Sequence, residues 1–388
     1  MSLDKAPLLA KFERICADPY ATARAAAERG EKVAGYLCTY VPEELLHAAG
    51  YFPVRVLGWS RGTHRADGLL QSFACSLARG ALDAALSGDL DFLDRIVFAH
   101  TCDTIQNLTD IWRRNAPKMR AMVLSTPVLT TGAAPFTFLR SELARCRALI
   151  EEKNGPISEE ALWADINLYE KHRSMMRLLY GLRRDHPWSL SAEQMLWVVL
   201  SSFLIRKEDH LPLLEQLIRA GGTPFGRCPP KADNRPKVFV AGSVCQSAQY
   251  MAAIEEAGCV VADDDLCTGA RAFAAEIPSE RDPLSCLARM YLARPPCPAK
   301  HTPGYDPGAD ILAQARRASA DGVVFLFTKF CDPWFFDYPH VRRTLERASM
   351  PSLLIEIEQH LPPSGNFSTR VAAFAEMIEA ARKGKTSL

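Results

Sequence analysis

Cysteine is the residue type whose number and placement in this 388-residue chain point to chemistry. Each of five cysteines falls just beyond a predicted buried strand, and Cys75 lies near a predicted helix start. The five are Cys38, Cys102, Cys245, Cys267 and Cys331. Ligands of open parallel sheets bind beyond the carboxyl ends of the strands. Backbone N–H groups in such loops and at helix N-termini stabilise thiolate and sulfide charge, so this placement favours an iron–sulfur cluster.

Packing and zinc binding are the alternative roles for these thiols. Free cysteine is among the most buried residue types and often packs as a small hydrophobe. Cys16, Cys146 and Cys259 lie within helix or strand patterns and are assigned to packing. Structural zinc usually brings a close C-x2–4-C pair, which the sequence lacks, as it lacks the contiguous ferredoxin signature. From spacing alone, an iron–sulfur cluster is therefore a hypothesis that stands beside cysteine packing.

No other motif predicts a catalytic or nucleotide site. The segment GKTS at Gly384 resembles the end of a P-loop, but Glu379 occupies the position of the first glycine. The sequence contains neither HExxH nor a GxGxxG that follows a strand. Asp263, Asp264 and Asp265 end a predicted strand, where a solvated strand end is favoured over a cation site. We therefore expect no nucleotide to bind to this chain.

The overall composition is that of an ordinary soluble protein. Hydrophobic residues make up 48% and charged residues 23% of the chain. The formal net charge of +1 gives no reason to expect nucleic acid or an anionic membrane as a partner. No apolar run reaches the roughly 18 to 20 residues of a membrane span, and the N-terminus lacks the apolar core of a signal peptide. We therefore expect a cytoplasmic protein, whose cysteines are not paired in a disulfide framework.

Alternating apolar strands and helices predict an α/β fold. Eight strands are predicted, at residues 33–38, 53–59, 95–99, 120–127, 237–243, 259–265, 323–327 and 352–357. The last two strands illustrate this alternation of strand and helix. They are separated by a loop that holds Cys331 and by a helix from about Tyr338. Strand, loop, helix and strand form a βαβ unit. Between residues 135 and 220, long helices replace the strands.

The same pattern divides the chain into three segments. They are an N-terminal α/β domain (residues 1–134), a helical segment and linker (135–232) and a C-terminal α/β domain (233–388). Residues 221–236, rich in Gly, Pro and charge, are the expected interdomain linker. A weak repeat relates Cys38 to Cys245, and Cys102 to Cys331. We predict two doubly wound parallel-sheet, flavodoxin-like domains with a helical segment between them.

Several long stretches resemble one known family in the same order along the chain. They are GYLCTYVPEELLHAAGYFPVRVLG, FACSLARGALDAALSGDLDFLDRIVFAHTCDTIQNL, DDLCTGAR and KFCDPWFFDYPHVRRTLERASMPSLLIEIE. These stretches are similar to the 2-hydroxyacyl-CoA dehydratase and benzoyl-CoA reductase family, and the resemblance covers nearly the whole chain. The resemblance implies a 4Fe-4S cluster held by Cys75, Cys102 and Cys331, with another group at the fourth iron. The cluster would lie in the cleft between the two α/β domains.

The resemblance also implies roles for residues near these ligands. Cys38 matches a frequent cysteine of the family that is not a clear ligand, and we expect it near the cluster together with Lys329 and Asp332. Cys267 and Cys297 match motifs, DLCTG and PPCP, that help to hold a larger cluster in double-cubane relatives. The smaller cluster is favoured here, because the sequence shows neither a paired CxC nor a second complete cysteine set.

The chemistry of the family that this chain resembles implies partners and a reaction for the chain. A separate ATP-hydrolysing iron–sulfur activator delivers low-potential single electrons, which make a ketyl radical from a 2-hydroxyacyl-CoA or reduce an aromatic acyl-CoA ring. The compact length and the LLIEIEQ segment resemble the smaller cluster-bearing component of ATP-dependent benzoyl-CoA reductase, which pairs with a larger paralogous subunit. Three alternatives are a dehydratase subunit, an electron-relay subunit whose partner performs catalysis, and a cluster-free structural paralogue.

Overall fold

The computed structural model describes residues 5–59, 62–186, 189–220 and 234–386. Eight strands lie in this part of the chain: β1 (Val33–Leu37), β2 (Phe52–Arg55), β3 (Arg95–His100), β4 (Arg120–Ser125), β5 (Lys237–Gly242), β6 (Val260–Asp265), β7 (Gly322–Thr328) and β8 (Ser352–Ile357). The same part contains fourteen α-helices. They are α1 (Ala6–Ala17), α2 (Ala21–Glu28), α3 (Glu43–Ala48), α4 (Ser76–Leu86), α5 (Asp103–Asn115), α6 (Ala133–Asn154), α7 (Glu159–Asp185), α8 (Ala192–Ser201), α9 (Lys207–Ala220), α10 (Gln249–Glu256), α11 (Pro283–Ala293), α12 (Pro307–Arg317), α13 (Asp332–Arg347) and α14 (Gly365–Thr386).

The strands form two parallel sheets of four strands each. The first has the order β2-β1-β3-β4 and the second the order β6-β5-β7-β8. All six strand pairings are parallel. Strands β1 and β7, at the centres of the two sheets, are buried along their whole length, as their apolar sequences require in a sheet covered on both faces. The predicted fold class, two doubly wound parallel sheets of flavodoxin-like topology, is confirmed.

Each sheet has a topological switch point between its two central strands. In this strand order the connections leave β1 and β3 in opposite directions, which opens a crevice beyond their carboxyl ends. Cys38 directly follows β1, and Cys102 follows β3 by two residues. In the second sheet, Cys331 follows β7 by three residues. The repeat seen in the sequence is thus a repeat of topology, and it brings cysteines to equivalent crevices.

The helix that follows β7 begins earlier than predicted. The sequence places its start near Tyr338, next to Pro339, whereas α13 begins at Asp332 and contains Pro339. Aromatic packing explains the difference, because Trp334 and Tyr338 lie with their ring centroids 5.1 and 5.6 Å from that of Phe327 on β7. Burial of these rings stabilises the additional helical residues despite the proline. Cys331 therefore stands at the helix N-terminus rather than in a long loop.

Other element boundaries differ by a few residues. The predicted strand at residues 53–59 is shorter in the structure, where β2 covers Phe52–Arg55. Of the predicted linker, only residues 234–236 belong to the described part of the chain. The predicted domain boundaries stay predictions. Of the GKTS segment, residues 384–386 lie in the last turn of α14, and Ser387 is outside the described residues.

Helices α7 and α9 connect the helical segment to the rest of the fold. His47 on α3 lies 3.0 Å from Asp165 on α7 and 2.9 Å from Glu208 on α9. Arg183 on α7 donates a hydrogen bond of 2.7 Å to the carbonyl of Val261 on β6. These contacts join the helical segment to elements of both sheets. No helix in the described residues combines the length and the apolar character that crossing a membrane requires.

Candidate metal centre

Three helices begin directly after a cysteine. Cys75 is the N-cap residue of α4, Cys102 of α5 and Cys331 of α13. The first amide groups of a helix lack partners within the helix, and the helix dipole is positive at this end. A thiolate or a sulfide at such a position gains both hydrogen bonds and favourable electrostatics. The three cysteines singled out by the family resemblance thus share the N-cap position, and backbone amides stabilise the thiolates of Cys75 and Cys102 there.

Amide groups of the first helical turn lower the free energy of the thiolates, whereas burial raises it. Burial is the largest influence on Cys75 and raises its pKa, although the amides of Ala78 and Leu77 oppose this rise. Burial also raises the pKa of Cys102 to about 12. Without a metal these thiols are therefore protonated at neutral pH. A metal held by these cysteines would have to displace such protons, because the thiolate is the ligand.

Six cysteines lie close enough to one another to interact electrostatically. Burial raises the pKa of the Cys331 thiol well above its ordinary value. Neighbouring thiols raise it further, namely Cys75, Cys297, Cys267 and Cys102. Cys38 in turn raises the pKa of four thiols, those of Cys75, Cys102, Cys267 and Cys297. We call Cys38, Cys75, Cys102, Cys267, Cys297 and Cys331 the six-cysteine site.

Cys245 does not belong to this site, although it follows a strand as predicted. Its amide donates a hydrogen bond of 2.9 Å to the Thr268 hydroxyl, and its thiol lies 3.5 Å from the Ser247 carbonyl. The side chain is fully buried in the core. Sequence position therefore relates Cys245 to Cys38, but their side chains lie in different environments. Packing is the role that the structure gives to Cys245.

Cys297 joins the site although it follows no strand. It lies in the loop between α11 and α12, where its amide donates a hydrogen bond of 3.1 Å to the Tyr40 hydroxyl. The PPCP motif was the only signal for this position. Cys267 contacts the guanidinium of Arg271, whose Nη1 lies 4.0 Å from the Cys267 Sγ. The sequence pattern did not reveal this contact. The spacing of four residues between Cys267 and Arg271 was the available signal.

Two residues at or beside the six-cysteine site have a strained backbone. Cys38 has a φ of 70° and Phe330, beside Cys331, a φ of 64°. The left-handed region is unfavourable for residues with a Cβ, and such strain concentrates at functional sites. The Thr101 hydroxyl donates a hydrogen bond of 3.2 Å to the Cys38 sulfur. Turn geometry rather than side-chain type thus directs Cys38 toward Cys75 and Cys102.

The two charged residues beside Cys331 have other contacts. The Lys329 ammonium lies 5.1 Å from the centroid of the Phe330 ring. Asp332 is the first residue of α13 and is exposed. A negative charge in the first turn favours the helix dipole, which gives Asp332 a role in helix stability. Their proximity to a metal cluster stays a prediction.

Two cavities reach the six-cysteine site. One, of about 100 Å³, is lined by Cys297, Lys300 and Trp334 among others. The other, of about 30 Å³, lies beside Cys38 and Arg55. Both are far smaller than a whole CoA molecule requires. The first has room for a small acyl group, whereas the second has room for one or two water-sized ligands.

A wider groove of about 1,400 Å³ lies elsewhere, between Trp59 and Trp197, and none of the six cysteines lines it. Its charged lining is predominantly acidic, with six carboxylates and one arginine: Glu13, Asp18, Glu28, Asp89, Asp91, Glu193 and Arg24. Acidic walls repel the phosphates of CoA. Size alone therefore does not make this groove a CoA site.

Within the described residues, no three His, Cys, Asp or Glu side chains are arranged to bind a single metal ion. An iron–sulfur cluster poses a different geometric demand, because its thiolate ligands bind separate irons and are spaced across several atoms. Three thiols at helix N-termini meet that demand in residue type and environment. The donor set fits an iron–sulfur cluster better than it fits one ion.

Comparison with known proteins gives a consistent result over nearly the whole chain. Residues 38–378 match the family model described as 2-hydroxyglutaryl-CoA dehydratase, D-component. The (R)-phenyllactyl-CoA dehydratase beta subunit of Clostridium sporogenes is 27% identical, covering 90% of this chain and 93% of the relative. One of the benzoyl-CoA reductase subunits of Thauera aromatica is also 27% identical, over 91% and 92%. Lactoyl-CoA dehydratase subunit beta of Anaerotignum propionicum is 28% identical, over 91% and 93%.

Proposed function

Because the chain belongs to the 2-hydroxyglutaryl-CoA dehydratase D-component family, we propose that it is the iron–sulfur subunit of an ATP-dependent acyl-CoA enzyme. Cys75, Cys102 and Cys331 are the proposed ligands. The observation that carries the proposal is their common position, since each caps a helix and the three thiols interact with one another. A 4Fe-4S cluster bound there supplies single electrons at low potential.

The chain's own residues give this site its properties. The helix N-termini of α4 and α5 offer amide groups to negative charge. Burial excludes water, which strengthens electrostatic interactions and protects reactive species. The thiols of Cys75 and Cys102 release their protons when iron binds. ATP hydrolysis belongs to a separate activator in this proposal.

Reductive dearomatisation of benzoyl-CoA, or of a substituted benzoyl-CoA, is the first candidate reaction. The likeness to the Thauera aromatica benzoyl-CoA reductase subunit supports it. Dehydration of an (R)-2-hydroxyacyl-CoA is the second candidate, and the phenyllactyl-CoA and lactoyl-CoA dehydratase subunits support it at about the same identity. In both cases the chain pairs with a paralogous larger subunit, and electrons come from the iron–sulfur activator.

The small volume of the cavities at the six-cysteine site favours an electron-relay role. Two cavities that reach the six-cysteine site measure about 30 and 100 Å³, and neither could hold a complete acyl-CoA without additional space from a partner. In this version of the proposal, the paralogous subunit holds most of the substrate. This chain holds the cluster.

The number of thiols at the site keeps a larger cluster as an alternative to the proposed 4Fe-4S cluster. Cys38, Cys267 and Cys297 lie close enough to influence one another's pKa, a proximity that the sequence did not reveal. Their presence supports the double-cubane alternative implied by the DLCTG and PPCP motifs. Iron content separates the two possibilities, because a double cubane carries about twice the iron of a single 4Fe-4S cluster.

Anaerobic purification of the chain with the products of neighbouring genes tests the proposal. Iron and sulfide are measured first, and about four of each per chain are expected for the smaller cluster. Turnover of benzoyl-CoA is then compared with turnover of a 2-hydroxyacyl-CoA in the presence of ATP and a reductant. Dearomatisation supports the first candidate and dehydration the second. Absence of iron under strict anaerobiosis would contradict both.

A further inference from the structure

The cavity of about 30 Å³ beside Cys38 has an unusual excess of positive charge. Its charged lining consists of four cations and two carboxylates: Arg55, Arg173, Lys207, Arg294, Glu43 and Glu44. Two of the cations have carboxylate partners. Arg173 lies 2.5 Å from Glu44 and 3.0 Å from Glu170, a carboxylate behind the cavity wall, and Lys207 lies 2.8 Å from Glu43. Two arginines thus remain at the cavity wall without a carboxylate partner among the described residues.

Arg294 is satisfied by neutral acceptors, whereas Arg55 is not. Arg294 donates hydrogen bonds to the carbonyls of Thr39 and Ala272. Arg55 is only 2% exposed, and its Nη1 donates a single long hydrogen bond of 3.3 Å to the Cys267 carbonyl. Its Nε and Nη2 have no partner among the described residues. A buried charged group with unused donors is costly, so an acceptor is required here.

A second guanidinium supplies an unused donor to the same cavity. Nη2 of Arg173 also lacks a partner within the part of the chain that the structure describes. Phe203 covers the guanidinium of Arg55, with 4.8 Å from Cζ to the ring centroid, and so keeps bulk water from it. Two buried guanidinium groups therefore line a small, partly enclosed cavity that admits one or two water-sized ligands.

We propose that this cavity binds one small monovalent anion of halide size, held by Arg55 and Arg173. Water would satisfy the hydrogen bonds but would leave the excess positive charge uncompensated. An anion meets both requirements, and the volume excludes anything much larger than a halide. Of the six cysteines only Cys38 lines this cavity, so none of the three proposed ligands Cys75, Cys102 and Cys331 forms its wall.

Thermal unfolding of the full anaerobically purified chain tests this site. Bromide replaces gluconate stepwise at constant ionic strength, because gluconate is too large for the cavity. We expect the melting temperature to rise saturably, by about 2 °C or more, because a ligand of the folded state stabilises it. Arg55→Met should abolish the rise. Arg113→Met is the control, since Arg113 pairs with Asp110 on the surface, and it should retain the rise.

Two results would overturn the proposal. One is a melting temperature that responds equally to bromide in the unmodified chain and in Arg55→Met. The other result would come from a crystallographic test that needs no variant. In this test, crystals of the unmodified chain are soaked in bromide. Anomalous scattering is expected to place a bromide within hydrogen-bond distance of Nε or Nη2 of Arg55. An ordered water there instead would show that the cavity is hydrated and the charge uncompensated.

Discussion

At the scale of single residues, the position of a thiol relative to a helix matters more than its position along the chain. Cys75, Cys102 and Cys331 all cap helices, whereas Cys245 follows a strand in the same way as Cys38 and still packs into the core. The φ of 70° at Cys38 redirects the chain at that point. Left-handed backbone at a non-glycine residue is not readable from composition or periodicity. That is why the sequence predicted strand-end cysteines but not their directions.

Replacing Cys331 by alanine should remove most of the bound iron. The loss follows from the proposed ligand set, because a cluster that keeps only two of its three thiolates is poorly held. Iron and sulfide analysis of the anaerobically purified variant measures the effect. Cys146→Ala is the matched control, since Cys146 is buried on α6 in a packing role, and it should keep the iron of the unmodified chain. Equal iron in the two variants would rule out Cys331 as a ligand.

At the scale of elements, close backbone contact fixes the helix that Cys75 caps. A Cβ built on Gly80 of α4 would lie 2.4 Å from the carbonyl oxygen of Gly58. Gly58 has a φ of 70° and follows β2, so the helix rests directly on the chain that leaves the first sheet. The position of Cys75 therefore depends on the absence of a side chain at Gly80.

Gly80→Ala should destabilise the protein and loosen the site. The added methyl meets backbone, which cannot rotate away, so we expect a loss of about 1–3 kcal/mol in the free energy of unfolding. Displacement of α4 should also lower the iron content. Chemical denaturation and iron analysis measure the two effects. Gly181→Ala on α7 is the control, because its Cβ would meet nothing within 4 Å, and it should stabilise by about 0.5–1 kcal/mol.

The attachment of α3 to α7 and α9 should depend on pH. Burial lowers the pKa of His47, but Asp165 and Glu208 outweigh it and raise the pKa to about 9. The unfolded value is lower, so the protonated contact stabilises fully below about pH 6.5 and is lost as the pH rises toward 9. Partial exposure of Glu208 limits the contribution to about 1 kcal/mol.

Denaturation of the unmodified chain and of His47→Gln between pH 6 and 9 isolates this contribution. The difference in stability between the two proteins should shrink as the pH rises. Other groups titrate in both proteins and cancel in the difference. A difference that stays constant over this range would show that His47 does not carry the charge.

At the scale of the whole molecule, the fold class and the positions of the strands were predictable, whereas helix starts were less so. Apolar runs separated by helices favour parallel sheets, and such runs predicted all eight strands, although the edge strands β4 and β8 are only partly buried. The start of α13 was missed because Trp334 and Tyr338 pack on Phe327, a tertiary contact that overrides the signal of Pro339. Convergence of six cysteines was only partly predictable. Cys297 reaches the site through a loop, whose path periodicity does not specify.

Glu44 is a point where three parts of the molecule meet. It lies on α3 and is fully buried, Arg173 on α7 lies 2.5 Å away, and the Tyr291 hydroxyl on α11 donates a hydrogen bond of 3.3 Å. Removing one partner of a buried ion pair leaves the other charge uncompensated.

Arg173→Met should therefore cost about 3–5 kcal/mol in the free energy of unfolding. Adding Glu44→Gln to this variant should recover part of the loss, because no unpaired charge remains. A double-mutant cycle by chemical denaturation measures the coupling. Additive effects of the two substitutions would mean that the pair contributes nothing as a pair. Asp110→Asn removes an exposed ion pair with Arg113 and should change stability by less than about 1 kcal/mol.

The long separation of the six cysteines along the chain sets an order of events during synthesis. Cys331 follows Cys75 and Cys102 by more than half the length of the chain. At about 5–20 residues per second, Cys75 leaves the ribosome roughly 10–50 s before Cys331. During that interval the first sheet can close while Cys75 and Cys102 still lack their counterpart. The proposed cluster would therefore acquire its third thiolate only after translation of the second sheet, and Cys75 and Cys102 would remain free thiols until then.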